Sequence, residues 1–566
     1  MNPRLLKLRR ALDAACYLIA ALLAAISLAD IYYRCRWEIF FPDEVYNLDP
    51  ILTFFRTGDY TSVSQGNHPF DPVLSSGILA TWLNGVVYVA AGTLYRERLA
   101  SALVQFGIVT YFAYRLLRSR DVAPRDALVV ALGSWTVLIL AGCHYLRIIN
   151  AGELWGFIYL VAGCFLAVRA PRWAAFVWGL GTWLAKITYL PFTGALLVGL
   201  VVAESIGTER ENDRGLARRL LESSARLGVM FVAPLLLWMA LIAVRYDVDT
   251  LEHWVFSYVT FVAKHAADVR VMELPVYQGW RFDPAWNAMP LLGFGWRETW
   301  SYLGPLVVGG AVLVVYASLR VAGVIRSTLT ETLLLAAACA AAAVAVTWFF
   351  TLDPTQWGRH LMPAIYVSVF VALYCGGEIY RSVAAKPAAA IVVGVLAYAA
   401  VLTGAYYAYS VTRDYAASNH WRISYSRNCR GNVLEPPCQN NDTLDLIEKL
   451  GKEWCGPDTQ MFSPTDYCKG NNRRRVVEHA IDILGDPEAP KRLLHDGGYL
   501  LTLIQVYDYQ TRESFLDDFG SVVCHRLTEP LRRRLLDLGV DEGTLADACA
   551  RSESRASGGA KTAPAH

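Results

Sequence analysis

Two adjacent carboxylates, Asp43 and Glu44, sit in the run Phe41-Pro42-Asp43-Glu44-Val45-Tyr46, just past the first long apolar segment. Neighbouring residues on a helix or strand point in different directions, so one can face a site while the other anchors the loop or a cation. A carboxylate at a low-dielectric boundary can be held ready to accept a proton. The plain alternative is a solvated loop pair. A second group, Asn67-His68-Pro69-Phe70-Asp71-Pro72, places His68 and Asp71 at the start of an apolar helix. Proline suits a first helical turn, and Asp71 could serve only to complement the helix dipole. Glu153 follows Gly152 at the edge of an apolar segment. A carboxylate there is either functional or paired, with Arg147 or Lys186 as partner. Lys186 closes another segment in Trp183-Leu184-Ala185-Lys186-Ile187-Thr188, where snorkelling is its ordinary explanation. Arg359 and His360 stand in Gln356-Trp357-Gly358-Arg359-His360-Leu361-Met362-Pro363. Arginine is the natural bidentate partner of phosphate.

The elements that must carry these residues are membrane helices. Of 566 residues, 55% are hydrophobic and only 18% charged, and mean hydropathy is +0.31. A soluble chain averages about 25% charged residues. The apolar residues cluster in runs of about 20, the length that crosses a hydrocarbon core. Eleven such runs read as spans: 13–33, 99–117, 126–144, 154–168, 173–188, 189–205, 227–244, 301–319, 329–350, 363–380 and 387–409. A further stretch, 73–94, carries Asn84, Gly77 and Gly85 and reads as an interfacial, juxtamembrane helix; as an ordinary span it would invert every later loop. The net charge of +2, without any basic stripe interleaved with aromatics, argues against a nucleic-acid partner. The chain has no GxxxxGK[ST], no strand-linked GxGxxG and no HExxH, so nucleotide-driven and zinc-protease chemistry have no visible machinery.

With 73–94 interfacial and the N-terminus inside, the short connections carrying Arg115, Arg118, Arg120, Arg125, Arg169, Arg172, Arg320, Arg326 and Arg381 are cytoplasmic. The longer loops 34–98 and 245–300 lie outside, with the C-terminus. Met1–Ala29 also has the layout of a signal peptide, ending in Ser27-Leu28-Ala29, but its apolar run continues through Ile31-Tyr32-Tyr33. After Ser410 the pattern becomes that of a soluble domain. The expected fold is therefore mainly α: a polytopic domain over 1–410, a small α/β or α+β domain over 411–550, and a disordered tail over 551–566. Six of the 12 cysteines fall in the soluble part: Cys429, Cys438, Cys455, Cys468, Cys524 and Cys549. In an oxidising compartment they read as a disulfide framework, with neighbour pairing the simplest of the possible connectivities and zinc the alternative. The Ala/Leu/Arg-rich usage suggests a bacterium, whose inner membrane would hold the chain with its C-terminal domain in the periplasm.

Taken in order, these features resemble the GT-C superfamily of lipid-phosphosugar-dependent glycosyltransferases. The resemblance is to the branch of the 4-amino-arabinose lipid A transferases and the protein O-mannosyltransferases. It is carried by Phe41-Pro42-Asp43-Glu44; by His68-Pro69-Phe70-Asp71-Pro72 leading through Leu79 and Trp82; and by Arg96-Glu97-Arg98-Leu99. It continues in Gly152-Glu153, in Gly181 to Lys186, and in Arg359-His360-Leu361-Met362-Pro363, where His replaces the Tyr of an Arg-Tyr-x-x-Pro motif. It covers roughly residues 1–410; Asp71 stands near where relatives often have Lys-Pro-Pro. The resemblance implies a GT-C-like membrane domain with a periplasm-facing active site, a polyprenyl-phosphate sugar donor, and a glycan, lipid or protein acceptor. It implies Asp43 as general base and Arg359, with Lys186, as the contacts of the departing phosphate. Glu44, Glu153 or His68 would orient the acceptor or hold a divalent cation through oxygen ligands, a cation the chemistry does not demand. Asp71 and His360 complete the substrate contacts. The aromatic outer segment 251–300, including Trp254, Phe256 and Tyr258, would form a water-excluding lid or an interfacial belt. The competing readings are a transporter or flippase of a lipid-linked glycan and a non-catalytic envelope-assembly protein.

A reporter fused after Ser410 should be active only if it matures outside the cytoplasm, and non-reducing peptide mapping of the same domain should return Cys429–Cys438, Cys455–Cys468 and Cys524–Cys549. A cytoplasm-only reporter active at that point, or six free thiols, would overturn the outside assignment.

Overall fold

The computed structural model describes residues 3–37, 77–91, 94–140, 152–207, 215–252, 296–351, 358–384 and 386–418, with a few short pieces elsewhere. Among them there is no strand. The helices are α1 (Pro3–Trp37), α2 (Ile78–Ala91), α3 (Leu94–Arg118), α4 (Pro124–Leu140), α5 (Glu153–Ala167), α6 (Pro171–Gly179), α7 (Leu190–Gly207), α8 (Leu216–Arg245), α9 (Trp296–Val321), α10 (Leu329–Thr351), α11 (Gly358–Val383) and α12 (Pro387–Ser418). Between α6 and α7 the chain forms a π turn over Leu180–Ala185 and a 3-10 turn over Ile187–Tyr189. Each of the eleven apolar segments read from sequence coincides with a helix, the fifth being α6 continued by the π turn. Among the described residues eight helices are long and apolar enough to cross a membrane, which marks a multi-pass membrane protein. Of the helices at the eleven segments, α4, α5 and α6 fall short of that length. The last helix continues to Ser418, past the composition change at Ser410, and Thr412 in that extension hydrogen-bonds Asp30 of α1.

Proline and glycine set several boundaries. Pro124, Pro171 and Pro387 each open a helix, where the missing N–H costs nothing. Gly152 precedes α5 with φ 82°, a left-handed conformation that glycine adopts without strain. Pro234, Pro305 and Pro363 lie inside α8, α9 and α11, as membrane helices tolerate.

The chain divides into two compact units. In the larger, which holds most of the bundle, α10 packs on α7 and α11, α9 on α11, and α6 on α5 and α8. The α5–α6 seam is tight: a Cβ at Gly163 would collide with the Trp178 indole, whose Nε1 donates to the Leu160 carbonyl at 3.0 Å. In the smaller unit the Asn84 amide donates to the Glu97 carboxylate, both side chains fully buried, and Gly85 leaves room for Ile51 and Phe55.

One end of the larger unit is an ionic junction. Arg120, in the α3–α4 turn, reaches Glu331 of α10 at 2.8 Å and Glu378 of α11 at 2.7 Å. Its guanidinium lies 4.6 Å over the Tyr374 ring. Burial alone would lower the Arg120 pKa; the Glu331 hydrogen bond and the surrounding groups outweigh it, and the pKa ends raised. Asp121, at φ 62°, pairs with Arg381 at 3.2 Å. At the same end of the chain's up-down path, Arg125 pairs with Asp13, and the Tyr398 hydroxyl donates to Asp126 at 2.8 Å. The helix ends so gathered are those the positive-inside pattern assigns to one side.

Within the stretch 73–94 the described residues form a single short helix. Its helix α2 follows Gly77, whose N–H donates to the Ala185 carbonyl at 2.9 Å, next to Lys186. The 14 residues of α2 rise roughly 21 Å, less than the ~30 Å core. Helix α3 then starts at Leu94 and runs toward the Arg120 junction, away from the Lys186 end. The expected elements of 419–528, the six C-terminal cysteines and nearly all of 257–295 lie outside the described residues.

Arg120→Ala would strand the Glu331 and Glu378 carboxylates beside each other. Thermal unfolding in detergent should show a loss of about 3 kcal/mol, the cost typical of removing one partner from a buried ion pair. An unchanged transition would mean the junction contributes nothing to stability.

Candidate active site

At the opposite end of the larger unit the fold brings two of the sequence candidates together. Lys186 Nζ lies 3.1 Å from Glu153 Oε1, and the residues are 3% and 4% exposed. Lys186 therefore does not snorkel; it is the ion-pair partner of Glu153 inside the protein, and Arg147 lies outside the described residues.

Local structure explains the meeting. The π turn after α6 widens the helix by one residue per turn, and such turns are frequent at functional sites. The Lys186 N–H donates to the Gly181 carbonyl at 2.8 Å, the wide spacing of that turn. Lys186 itself is extended, at φ −153° and ψ 109°, which aims its side chain away from the helix path toward α5. Gly156, one turn after Glu153, has no Cβ to hold off the Tyr189 ring and the Lys186 stem. Across the break, the Thr182 and Thr193 hydroxyls are 2.7 Å apart, and Thr193 Oγ1 donates to the Tyr189 carbonyl at 3.0 Å. Trp183 Nε1 fixes the π turn to α8 through the Phe231 carbonyl at 3.0 Å.

The surroundings are aromatic. Phe157 lies 5.2 Å from the Tyr366 ring of α11, and Trp155 lies 6.4 Å from Trp82. The first turns of α5 thus sit beside the first half of α11, whose opening residues are Gly358, Arg359 and His360. The His360 ring is half-buried, 5.8 Å from Trp348. The backbone of Arg359 lies in the first turn of α11. Asp43, Glu44, His68 and Asp71 lie outside the described residues.

Several polar groups here escaped sequence reasoning. Tyr189 is fully buried beside Glu153 and Tyr366, and its hydroxyl has no hydrogen-bond partner among the described residues. Its signal was available: it follows Lys186 by three residues, one 3-10 turn. Asp30 is buried near the end of α1 and accepts from the Thr412 hydroxyl of α12 at 3.3 Å. An acid within an apolar span was the cue for it. Chemically, the arrangement holds a dry carboxylate and a dry ammonium close to the opening turn of a helix that carries Arg and His.

A divalent cation does not fit Glu153 in this arrangement, because the Lys186 ammonium already stands at its carboxylate. Among the described residues no three His, Cys, Asp or Glu side chains gather as a metal site.

No family model matches the chain, and no curated protein matches it in sequence. In structure it is similar to ArnT from Cupriavidus metallidurans in the apo state, at a TM-score of 0.41 and 14% identity over 89% of this chain and 79% of that one. It is similar as well to the same protein bound to undecaprenyl phosphate, at 0.41 and 14%, over 90% of this chain and 80% of that one.

Lys186→Met should destabilise the protein by about 3–5 kcal/mol, since it leaves a buried carboxylate unpaired. The double change Lys186→Met with Glu153→Leu should recover most of that loss in thermal unfolding. A double variant as unstable as the single one would show that packing, not charge pairing, sets the cost.

Proposed function

We propose that the protein is an integral-membrane glycosyltransferase that moves a sugar from a polyprenyl-phosphate donor to an acceptor outside the cytoplasm. The observation that carries this reading is the buried Glu153–Lys186 pair. It gives the end of the bundle that opens α11 the acid and cation that the motif order from Asp43 to Arg359 implies. The undecaprenyl phosphate bound by one similar structure belongs to that protein; for this chain the donor class rests on the residues.

A sugar held on a polyprenyl phosphate is already activated, so no nucleotide site is needed. Breaking its C1–O bond builds oxocarbenium character on the sugar and negative charge on the departing phosphate. Arg359 is assigned to that phosphate, because its planar fork matches the oxygens and stabilises charge as it develops. Asp43 is assigned to take the acceptor hydroxyl proton. Glu153 is assigned to hold a sugar hydroxyl, and the neighbouring Trp155, Phe157 and Tyr366 to shield the reacting centre from water. A transporter would be expected to place its polar site near the bilayer midplane on broken, repeated helices. Lys186 does lie at such a break, but the sequence shows no internal repeat from which two matching halves could be built, which favours transfer. The acceptor would be a glycan, lipid or protein of the envelope.

The test is transfer by the purified full chain from a panel of polyprenyl-phosphate sugars. Asp43→Asn keeps shape and removes basicity, so turnover should fall about 10²–10⁴-fold. Arg359→Lys should impair both donor affinity and turnover, with Glu44→Gln as the control. Near-normal transfer by Asp43→Asn beside an inactive Glu44→Gln or Glu153→Gln would move the base; no transfer by the wild type from any donor would remove the proposal.

A further inference from the structure

Two buried polar atoms beside the ion pair are unsatisfied. Glu153 Oε2 and the Tyr189 hydroxyl are both closed off from solvent, and neither has a hydrogen-bond partner among the described residues. An orphaned buried polar group keeps its full desolvation penalty, so an arrangement with two of them is a state that a ligand can improve. The segment carrying Lys186 and Tyr189 is also irregular. It passes from α-helix to π turn, to one extended residue, to a 3-10 turn, and back to α-helix within Gly179–Leu190.

We infer that Lys186 is an exchangeable cation: in the resting protein its ammonium occupies Glu153, and the phosphate of the donor draws it away, releasing the Glu153 carboxylate to hold a sugar hydroxyl. This rests on the donor class proposed above. The exchange keeps charge balanced. Lys186 trades one anion for another, and Glu153 trades the ammonium for two neutral donors, the Tyr189 hydroxyl and the incoming sugar hydroxyl. Both orphaned atoms gain partners by the same movement. The consequence is an order: the carboxylate becomes available to the sugar only once phosphate is in place. An empty site keeps its acid paired and closed.

The exchange makes Glu153 a competitor of phosphate for Lys186, which a purely structural ion pair would not be. The measurement is binding of undecaprenyl phosphate to the purified full chain, for wild type and variants. Glu153→Gln should bind at least about fivefold tighter, within the range of ordinary coupling between sites, while Lys186→Met should lose most of the affinity. If Glu153→Gln does not fold, Glu153→Asp serves instead: one methylene shorter, it weakens the pair and should also bind more tightly. Equal or weaker binding by a folded variant, with the wild type binding, overturns the exchange and leaves the proposed function standing. A wild type that does not bind undecaprenyl phosphate overturns both. The same gain toward phosphatidic acid vesicles would assign the anion to bulk lipid and overturn the donor-linked form.

Discussion

Removing a carboxylate and an ammonium from water costs several kcal/mol per ion, and their attraction offsets this only when the geometry is close. Glu153 and Lys186 are buried together 3.1 Å apart, so the fold has to deliver both charges to one point. Much of the local architecture follows from that requirement. The left-handed Gly152 starts α5 with Glu153 in its first turn. Gly156 removes the side chain that would hold the Lys186 stem away. The π turn and the extended Lys186 redirect a side chain that a continuous α-helix would carry past the site. Gly77 then docks on Ala185 and seats the start of α2 against the same break.

The two ends of the larger unit handle charge differently. At the Arg120 end each carboxylate faces a cation in a network: Arg120 serves Glu331 and Glu378, and Arg381 serves Asp121. Tyr374 covers the guanidinium, and Tyr316 and Ser327 extend the polar contacts. Such an arrangement joins the α3–α4 turn to α10 and α11 and leaves little to gain by moving. At the Lys186 end the pair is drier, and two polar atoms next to it are left unsatisfied. The contrast follows from their positions. The first end closes around short connections already rich in arginine, whereas the second lies at an irregular turn set among aromatic rings. Both ends leave buried polar atoms without hydrogen-bond partners among the described residues: Arg120 Nε and the Tyr374 hydroxyl at one, Glu153 Oε2 and the Tyr189 hydroxyl at the other.

The membrane class and the helical course of the eleven apolar segments were legible in sequence, because they depend on a one-dimensional quantity, the length of an apolar run. Glu153 and Lys186 were legible as candidates for a similar reason, since a charge at the edge of an apolar segment is costly wherever the segment ends up. That they are partners was decided by tertiary structure. Thirty-three positions separate them, and only the packing of α5 on α6, with the π turn shifting the register, selects Lys186 for Glu153. Tyr189 and Asp30 each had a cue in the sequence, the nearby Lys186 for one and the surrounding apolar span for the other, but neither cue says what the side chain is buried against. Sequence determined which segments leave water, since that follows from composition alone. The tertiary structure decided which charges leave water together, since that depends on distances between segments that no linear pattern encodes.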